Sequence, residues 1–336
     1  MTAAHWPTLD DIRHGAKRIE GVATRTPMVP SFGLSGARDA EVRIKLETTQ
    51  PTRAFKVRGA ANVILSHDSI DPGKGVVTYS TGNHGRAVAY VASTLGMPAT
   101  VCMSHNTTAD KQESLRTMGA TVRLVGESQD EAAELARGLE HQGALLVDPI
   151  NDPVTTAGQG TIGLEIVEDW PEVDTVVVPV SGGALMAGVA QAVKSLSPGT
   201  RVVGVSMDRG AAMYESLQAG HPVAIPEVES LADSLQGGIT RENHHSFEMV
   251  RDLVDDLVLV TEEEIGVAMA EAVIEERLVL EGAGATPIAA FINRDRDLFG
   301  AHVALVATGA MVDNVTLTRL VAQHSERVAQ VLGRRR

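Results

Sequence analysis

Short, nearly unbroken apolar runs alternate with segments of helical character over most of the chain. Gly75-Val76-Val77-Thr78-Tyr79 leads into a turn at Ser80 and then an Ala/Val-rich stretch that predicts a helix from Arg86 to Leu95. Ala99-Thr100-Val101-Cys102-Met103 follows, then a helix from Thr107 to Met118 and the run Ala120-Thr121-Val122-Arg123-Leu124-Val125. A helix from Gln129 to Leu139 and the run Ala144-Leu145-Leu146-Val147 close this set. A second set holds Thr175-Val176-Val177-Val178-Pro179-Val180, Arg201-Val202-Val203-Gly204-Val205 and Val303-Ala304-Leu305-Val306-Ala307, again with helices between them. Continuous apolar runs, each followed by a helix, are the pattern of parallel strands buried on both faces, so the class is α/β throughout. Two prolines within Pro149-Ile150-Asn151-Asp152-Pro153 disfavour a regular element there and mark a crossing between domains.

With 336 residues the chain can bury a large core, as two domains or one large α/β unit. The formal net charge of −14 argues against nucleic acid or an anionic membrane as the main partner. Cys102 is the single cysteine, so no internal disulfide is possible; its place in an apolar run reads as core rather than nucleophile. The segment Met1 to Asp11 lacks a basic region leading into an apolar stretch, and no apolar run approaches the roughly 20 residues that span a bilayer. The expectation is a soluble, cytoplasmic protein with frayed terminal charge at Gly333-Arg334-Arg335-Arg336.

Candidate chemistry sits in four places. Ala54-Phe55-Lys56-Val57-Arg58-Gly59-Ala60 puts an amine between an aromatic ring and a helix start. Ser80-Thr81-Gly82-Asn83-His84-Gly85 is a turn of small, hydrogen-bonding residues. Ser181-Gly182-Gly183-Ala184-Leu185 joins a strand to a helix, where backbone N–H groups and the positive end of the helix dipole can receive a phosphate. Dinucleotide binding is the competing use of such a loop, but it calls for Gly-x-Gly-x-x-Gly, which this loop lacks. Thr308-Gly309 ends the last core strand. Each signal alone is weak, since a lone lysine on a helix is usually a solvated charge.

Taken together, these motifs resemble the pyridoxal-phosphate (PLP) enzymes of fold type II, in the threonine/serine dehydratase and serine racemase branch. The resemblance covers about residues 10 to 320. It implies a tryptophan synthase β-like fold of two doubly wound domains with largely parallel sheets. A large PLP-binding domain would take residues 1–67 and 147–320, a small inserted domain 68–146, and a tail 321–336. A regulatory C-terminal domain like that of biosynthetic threonine dehydratases is not expected. The resemblance also implies a homodimer or higher homo-oligomer acting on a small amino-acid substrate.

By the same resemblance, Lys56 would hold the PLP aldehyde and later take the substrate α-proton. Both tasks need a neutral amine, hence a pKa lowered by burial and neighbouring charge, and Phe55 supplies apolar wall. Asn83 matches the residue that bonds the PLP 3′-oxygen, and Ser181, Gly182, Gly183, Ala184 and Leu185 match the phosphate loop. Relatives usually carry four glycines there, so Ser181 and Ala184 depart from the pattern, tolerably if neither position requires φ > 0. Ser80, Thr81, Gly82 and His84 match the grip on the substrate carboxylate. Arg86 stands where threonine dehydratases commonly have Gln; it reads either as a reader of a negative substrate group or as a solvated helix residue. Glu281 matches an acid near the cofactor ring, with a helix-start charge as the plainer reading.

Thr308 matches the hydroxyl that meets the pyridine nitrogen. A neutral partner leaves that nitrogen largely unprotonated, so the ring withdraws electrons less strongly, which favours loss of a β-hydroxyl. Thr81 divides the branches: racemases place Ser there, dehydratases that only eliminate often Ala, and threonine keeps a hydroxyl while adding a methyl. The divalent-cation site of serine racemases is not expected, because Ser206 stands where their first acid would fall. Arg86 with 205–213 and 231–239 is similar to the dehydratases of hydroxyectoine utilisation. The expected function is PLP-dependent dehydration and deamination of a β-hydroxy amino acid, of threonine/serine type or derived from hydroxyectoine. Amino-acid racemisation on the same fold, or a PLP-free α/β binding or regulatory protein, are the alternatives; joint retention of Lys56, Asn83 and Thr308 speaks against the latter.

Overall fold

The computed structural model describes residues 6–80, 82–240 and 242–331. Among them are ten strands: β1 (Met28–Pro30), β2 (Glu41–Leu46), β3 (Val76–Tyr79), β4 (Ala99–Met103), β5 (Thr121–Leu124), β6 (Leu145–Leu146), β7 (Thr175–Pro179), β8 (Arg201–Met207), β9 (Asp256–Val260) and β10 (His302–Ala307). They form a six-stranded sheet in the order β1-β2-β10-β7-β8-β9 and a four-stranded sheet in the order β5-β4-β3-β6. The pairings are parallel except that of β1 with β2. The smaller sheet is built wholly from a stretch of chain that interrupts the larger one.

The apolar runs behave as their composition demands. Val176, Val177 and Val178 in β7 are completely shielded from solvent, as are Val202, Val203 and Val205 in β8. Each such side chain contributes about 1.5–3 kcal/mol of burial. The edge strand β5 departs from the expectation of burial on both faces: Thr121, Arg123 and Leu124 are exposed, because β5 has a neighbour on one side only. The expected helix starting at Arg86 begins earlier, at Asn83, with Gly82 as its N-cap, so Asn83 and His84 belong to its first turn.

Pro153 also corrects the expectation of an irregular break from Pro149 to Pro153. Asp152 caps the long helix Pro153–Asp169, accepting from Val154 N at 3.3 Å and Thr155 N at 2.7 Å, and Pro153 is its first residue. Proline is at home there because its missing N–H would have no helical partner. This helix is the spine that carries the site. Its small residues let neighbours approach at backbone distance: a Cβ on Gly158 would meet Arg58 O at 2.8 Å, and one on Gly160 would meet Gly188 O at 2.8 Å. The helix bearing the lysine motif (Val57–Leu65) and the helix behind the glycine loop (Ala184–Leu196) are thereby seated against one rod.

Candidate active site

The four motifs converge because each lies at the carboxyl end of a strand or is hydrogen-bonded to one. In open parallel sheets that end is where ligands bind. Ser80 to Asn83 follow β3, Asp148 follows β6, the glycine loop follows β7, and Thr308-Gly309 follow β10. The lysine segment is fastened to the last of these. Ala54 forms an antiparallel bridge with Gly309, Phe55 N donates to Thr308 O at 3.0 Å, and Ala310 N donates to Arg53 O at 3.0 Å. Thr308 is itself buried.

Lys56 stands at the N-cap of the helix Val57–Leu65. Its stem keeps some solvent contact, while protein encloses the amine. Burial lowers its pKa to about 8, and the charge of Asp148 works in the opposite direction. At pH 7 the neutral fraction then rises from a few parts in ten thousand to roughly a tenth. Lys56 Nζ has one long hydrogen bond, to Pro149 O at 3.4 Å, and lies 5.2 Å from the centroid of the Phe55 ring.

In the second motif, Ser80 Oγ accepts from Gly82 N at 3.4 Å, and the turn closes so tightly that a Cβ on Gly85 would lie 2.4 Å from Ser80 O. Thr81 lies outside the described residues. Asn83 Nδ2 donates to Glu281 Oε1 at 2.8 Å, and Glu281 Oε2 accepts from Met311 N at 2.9 Å. Burial raises the Glu281 carboxyl above its ordinary range, against the hydrogen bonds from Asn83, Met311 and Ser234. Glu281 does occupy a helix N-cap position, yet its side chain turns to Asn83 rather than to its own helix. His84 Nε2 lies 3.0 Å from Val147 O, which can only accept, so the proton is on Nε2. Burial and then the charge of Lys56 push the His84 pKa down to about 3. Its Nδ1 is a buried acceptor without a partner among the described residues.

The glycine loop is braced from behind. Gly182 O accepts from Asn243 Nδ2 at 3.0 Å and from Ser246 Oγ at 2.8 Å, and Ser181 Oγ donates to Leu235 O at 3.0 Å. The left-handed residue of the turn is Gly183, at φ 104°, whereas Ser181 and Ala184 are not left-handed. The two departures from an all-glycine loop therefore carry no backbone strain. A Cβ on Gly182 would meet Ile150 Cγ1 at 2.8 Å. Ala184 and Leu185 form the first buried turn of the following helix, which no side chain caps, so its leading N–H groups have no partner within the helix.

Arg86 is half-buried rather than solvated. It donates to Ser114 Oγ on a neighbouring helix, its Nε is buried without a partner among the described residues, and burial lowers its pKa. Cys102 is wholly buried in β4 and its thiol is pushed up to about 11, which suits a core residue.

Sequence reasoning passed over the charged cluster behind the lysine. Arg58 Nε and Nη2 each lie 2.8 Å from the Glu47 carboxylate, and Nη1 and Nη2 lie 2.6 and 2.9 Å from that of Glu165. Lys45 Nζ adds Glu165 at 2.7 Å and Thr26 O at 2.7 Å. These four charged side chains are all buried. Arg58 was visible in the lysine motif, but nothing in the local pattern names its partners. Asp148, Asn243 and Ser246 were likewise missed, as short polar residues in loops without a motif.

The donor set fits PLP on three observations: an enclosed amine of lowered proton affinity, an uncapped helix N-terminus behind a glycine loop with no room for side chains, and a buried neutral hydroxyl residue at Thr308. Comparison with known proteins agrees. A family model described as pyridoxal-phosphate dependent enzyme matches residues 19–309, and the chain belongs to this family, with PLP as its cofactor and fold type II as its architecture. L-threonine ammonia-lyase of Thermotoga maritima is 40% identical over 315 residues, spanning 94% of this chain and 78% of that protein. Among solved structures, maize serine racemase superposes with a TM-score of 0.87 at 31% identity, covering 96% of this chain and 99% of that one. The threonine deaminase of T.th. gives 0.83 at 33% identity, covering 91% and 99%. The protein is a PLP-dependent carbon–nitrogen lyase of the threonine/serine dehydratase type.

Proposed function

We propose that the protein removes water from a β-hydroxy amino acid of the threonine/serine type and releases a 2-oxo acid and ammonium. The observation that carries this reading is the enclosed amine of Lys56, lowered to a pKa of about 8 on a segment that Phe55 N fastens to Thr308 O. PLP, when bound, supplies the electron sink that makes the substrate α-proton acidic. Lys56 would hold the cofactor aldehyde, and its amine is the group available as base for that proton. The N–H groups of Gly182, Gly183, Ala184 and Leu185, with Ser181, would hold the phosphate. Asn83, oriented by Glu281, and the neutral hydroxyl residue Thr308 would hold the cofactor ring, and Phe55 would supply apolar wall. Ser80 and the N–H groups of the turn at Gly82 would receive the α-carboxylate, with His84 beside them and with Thr81 added by the resemblance. The finer substrate reading, a hydroxylated diamino acid derived from hydroxyectoine, is supported by Arg86 and the segments 205–213 and 231–239.

Racemisation is the second reading, supported by the likeness to maize serine racemase. One assay separates the two. PLP-loaded protein is incubated with L-threonine, L-serine and 3-hydroxy-2,4-diaminobutyrate, and 2-oxo acid, ammonium and enantiomer ratio are followed. Equal release of 2-oxo acid and ammonium is expected. Inversion of serine without ammonium would replace the lyase reading by the racemase one.

A further inference from the structure

Of the links in the glycine loop, the peptide between Gly182 and Gly183 is the easiest to turn over. Glycine accepts either sign of φ, and here it stands on both sides of the bond. The bond is trans, so the Gly182 C=O and the Gly183 N–H point in opposite directions. Turned one way, the loop offers an N–H outward; turned the other way, it offers a carbonyl oxygen that repels an anion. Two wholly buried side chains at the start of the helix His245–Leu253 hold the first state. Asn243 Nδ2 donates to Gly182 O at 3.0 Å. Its amide cannot be reversed, because Asn243 Oδ1 accepts from Phe247 N at 3.3 Å, and an N–H can only donate. Ser246 Oγ lies 2.8 Å from Gly182 O and 2.9 Å from Asn243 Oδ1, so one proton serves two acceptors and Asn243 is the firmer donor. Ser246 Oγ also sits 2.8 Å from where a Cβ on Gly183 would lie, and Gly183 is left-handed at φ 104°, so both space and backbone demand glycine there. With the carbonyl turned inward, Gly183 N has no acceptor among the described residues.

We infer that Asn243, assisted by Ser246, is a positioning residue that locks the glycine loop in its anion-receiving state and so sets the affinity for the phosphate end of the cofactor. The loop cannot gain rigidity from side chains of its own, since Ile150 beside Gly182 and Ser246 beside Gly183 leave no space for them. The clamp restores the order that two glycines remove. Neither residue needs to touch the phosphate; both act through the backbone of the loop. The inference rests on the assignment of residues 181–185 to the phosphate and adds what holds them ready.

The test measures binding of PLP and of pyridoxal, which lacks the phosphate, to cofactor-free wild type, Asn243→Leu and Ser246→Ala. Both aldehydes can engage Lys56, so pyridoxal controls for that step. Leucine keeps the shape of asparagine but cannot donate. In Asn243→Leu the Kd for PLP is expected to rise about 10- to 100-fold, the cost of leaving a buried carbonyl without its donor, while the Kd for pyridoxal stays near that of wild type. Ser246→Ala should show the same bias more weakly, since Asn243 still holds the carbonyl. The phosphorus NMR resonance of bound PLP should move in Asn243→Leu toward that of free PLP, which a merely structural role would not produce. An equal loss for PLP and pyridoxal would mark a general weakening of the fold and overturn the inference, as would an unchanged PLP affinity in both variants. If Asn243→Leu does not fold, the ratio of the two Kd values in Ser246→Ala decides. A wild type that binds PLP no tighter than pyridoxal would refute the phosphate assignment itself, a result distinct from a preference lost only in the variants.

Discussion

The two sides of Lys56 differ in how they treat buried charge. Behind it, Lys45, Glu47, Arg58 and Glu165 form a buried set in which each charged group meets an opposite one within 2.8 Å, with Asp169 at its edge 3.8 Å from Lys45. Burial works against ionisation of Glu165, yet Arg58 and Lys45 outweigh it and hold its carboxyl below the ordinary range. In front, burial wins. It lowers Lys56 and His84 and raises Glu281, and His84 Nδ1 has no partner among the described residues. A protein can tolerate desolvated charge when it supplies the counter-charge itself, as on the first side. Where it withholds one, the group is left neutral or left for a ligand, and such perturbed groups cluster at functional sites. The contrast separates scaffold from site within a few residues of one helix start.

The sharpest way to break the comparison is to empty its centre. Lys56→Ala should lower ammonium release by at least about 10²–10⁴-fold, the usual range for a positioned acid–base group. The folded state should persist, since no paired charge is disturbed. Borohydride reduction of the wild-type holoenzyme should place the cofactor mass on the peptide containing Lys56, and its appearance on another lysine would sink the assignment.

The next largest effect comes from the opposite side. Arg58→Met leaves Glu47 and Glu165 buried without their guanidinium and should destabilise the fold by about 3–5 kcal/mol. Urea unfolding of the cofactor-free variant measures this directly. A loss below about 1 kcal/mol would show that the buried cluster is not what holds the lysine helix in place.

The smallest effect sharpens the electrostatics. The folded pKa of Lys56, about 8, lies below its ordinary value of 10.5. Between those two pH values the unfolded chain keeps a proton that the folded chain has released. The unfolding free energy of the cofactor-free protein should therefore rise with pH across that window. Relative to Lys56→Met, the wild type should gain on the order of 1–3 kcal/mol from about pH 8 to 10.5. Parallel stability curves for the two proteins would mean that the amine is not desolvated.

Much of this molecule is written locally. The valine runs of β7 and β8 declare buried parallel strands by composition alone, and the glycine loop after β7 reads as a strand-to-helix turn that can offer N–H groups to an anion. The lysine motif and Thr308 are equally readable as short strings. Strand β2 was hidden because Glu41, Arg43 and Lys45 break its apolar run, and only the packed structure shows Lys45 completely buried against Glu165. Apolar periodicity records whether a residue leaves water, a property each residue carries with it. Pairing between charges depends on distances set by other parts of the chain. That is why the partners of Arg58, the grip of Glu281 on Asn83 and the bond from Tyr79 to Asp148 were decided by tertiary structure alone.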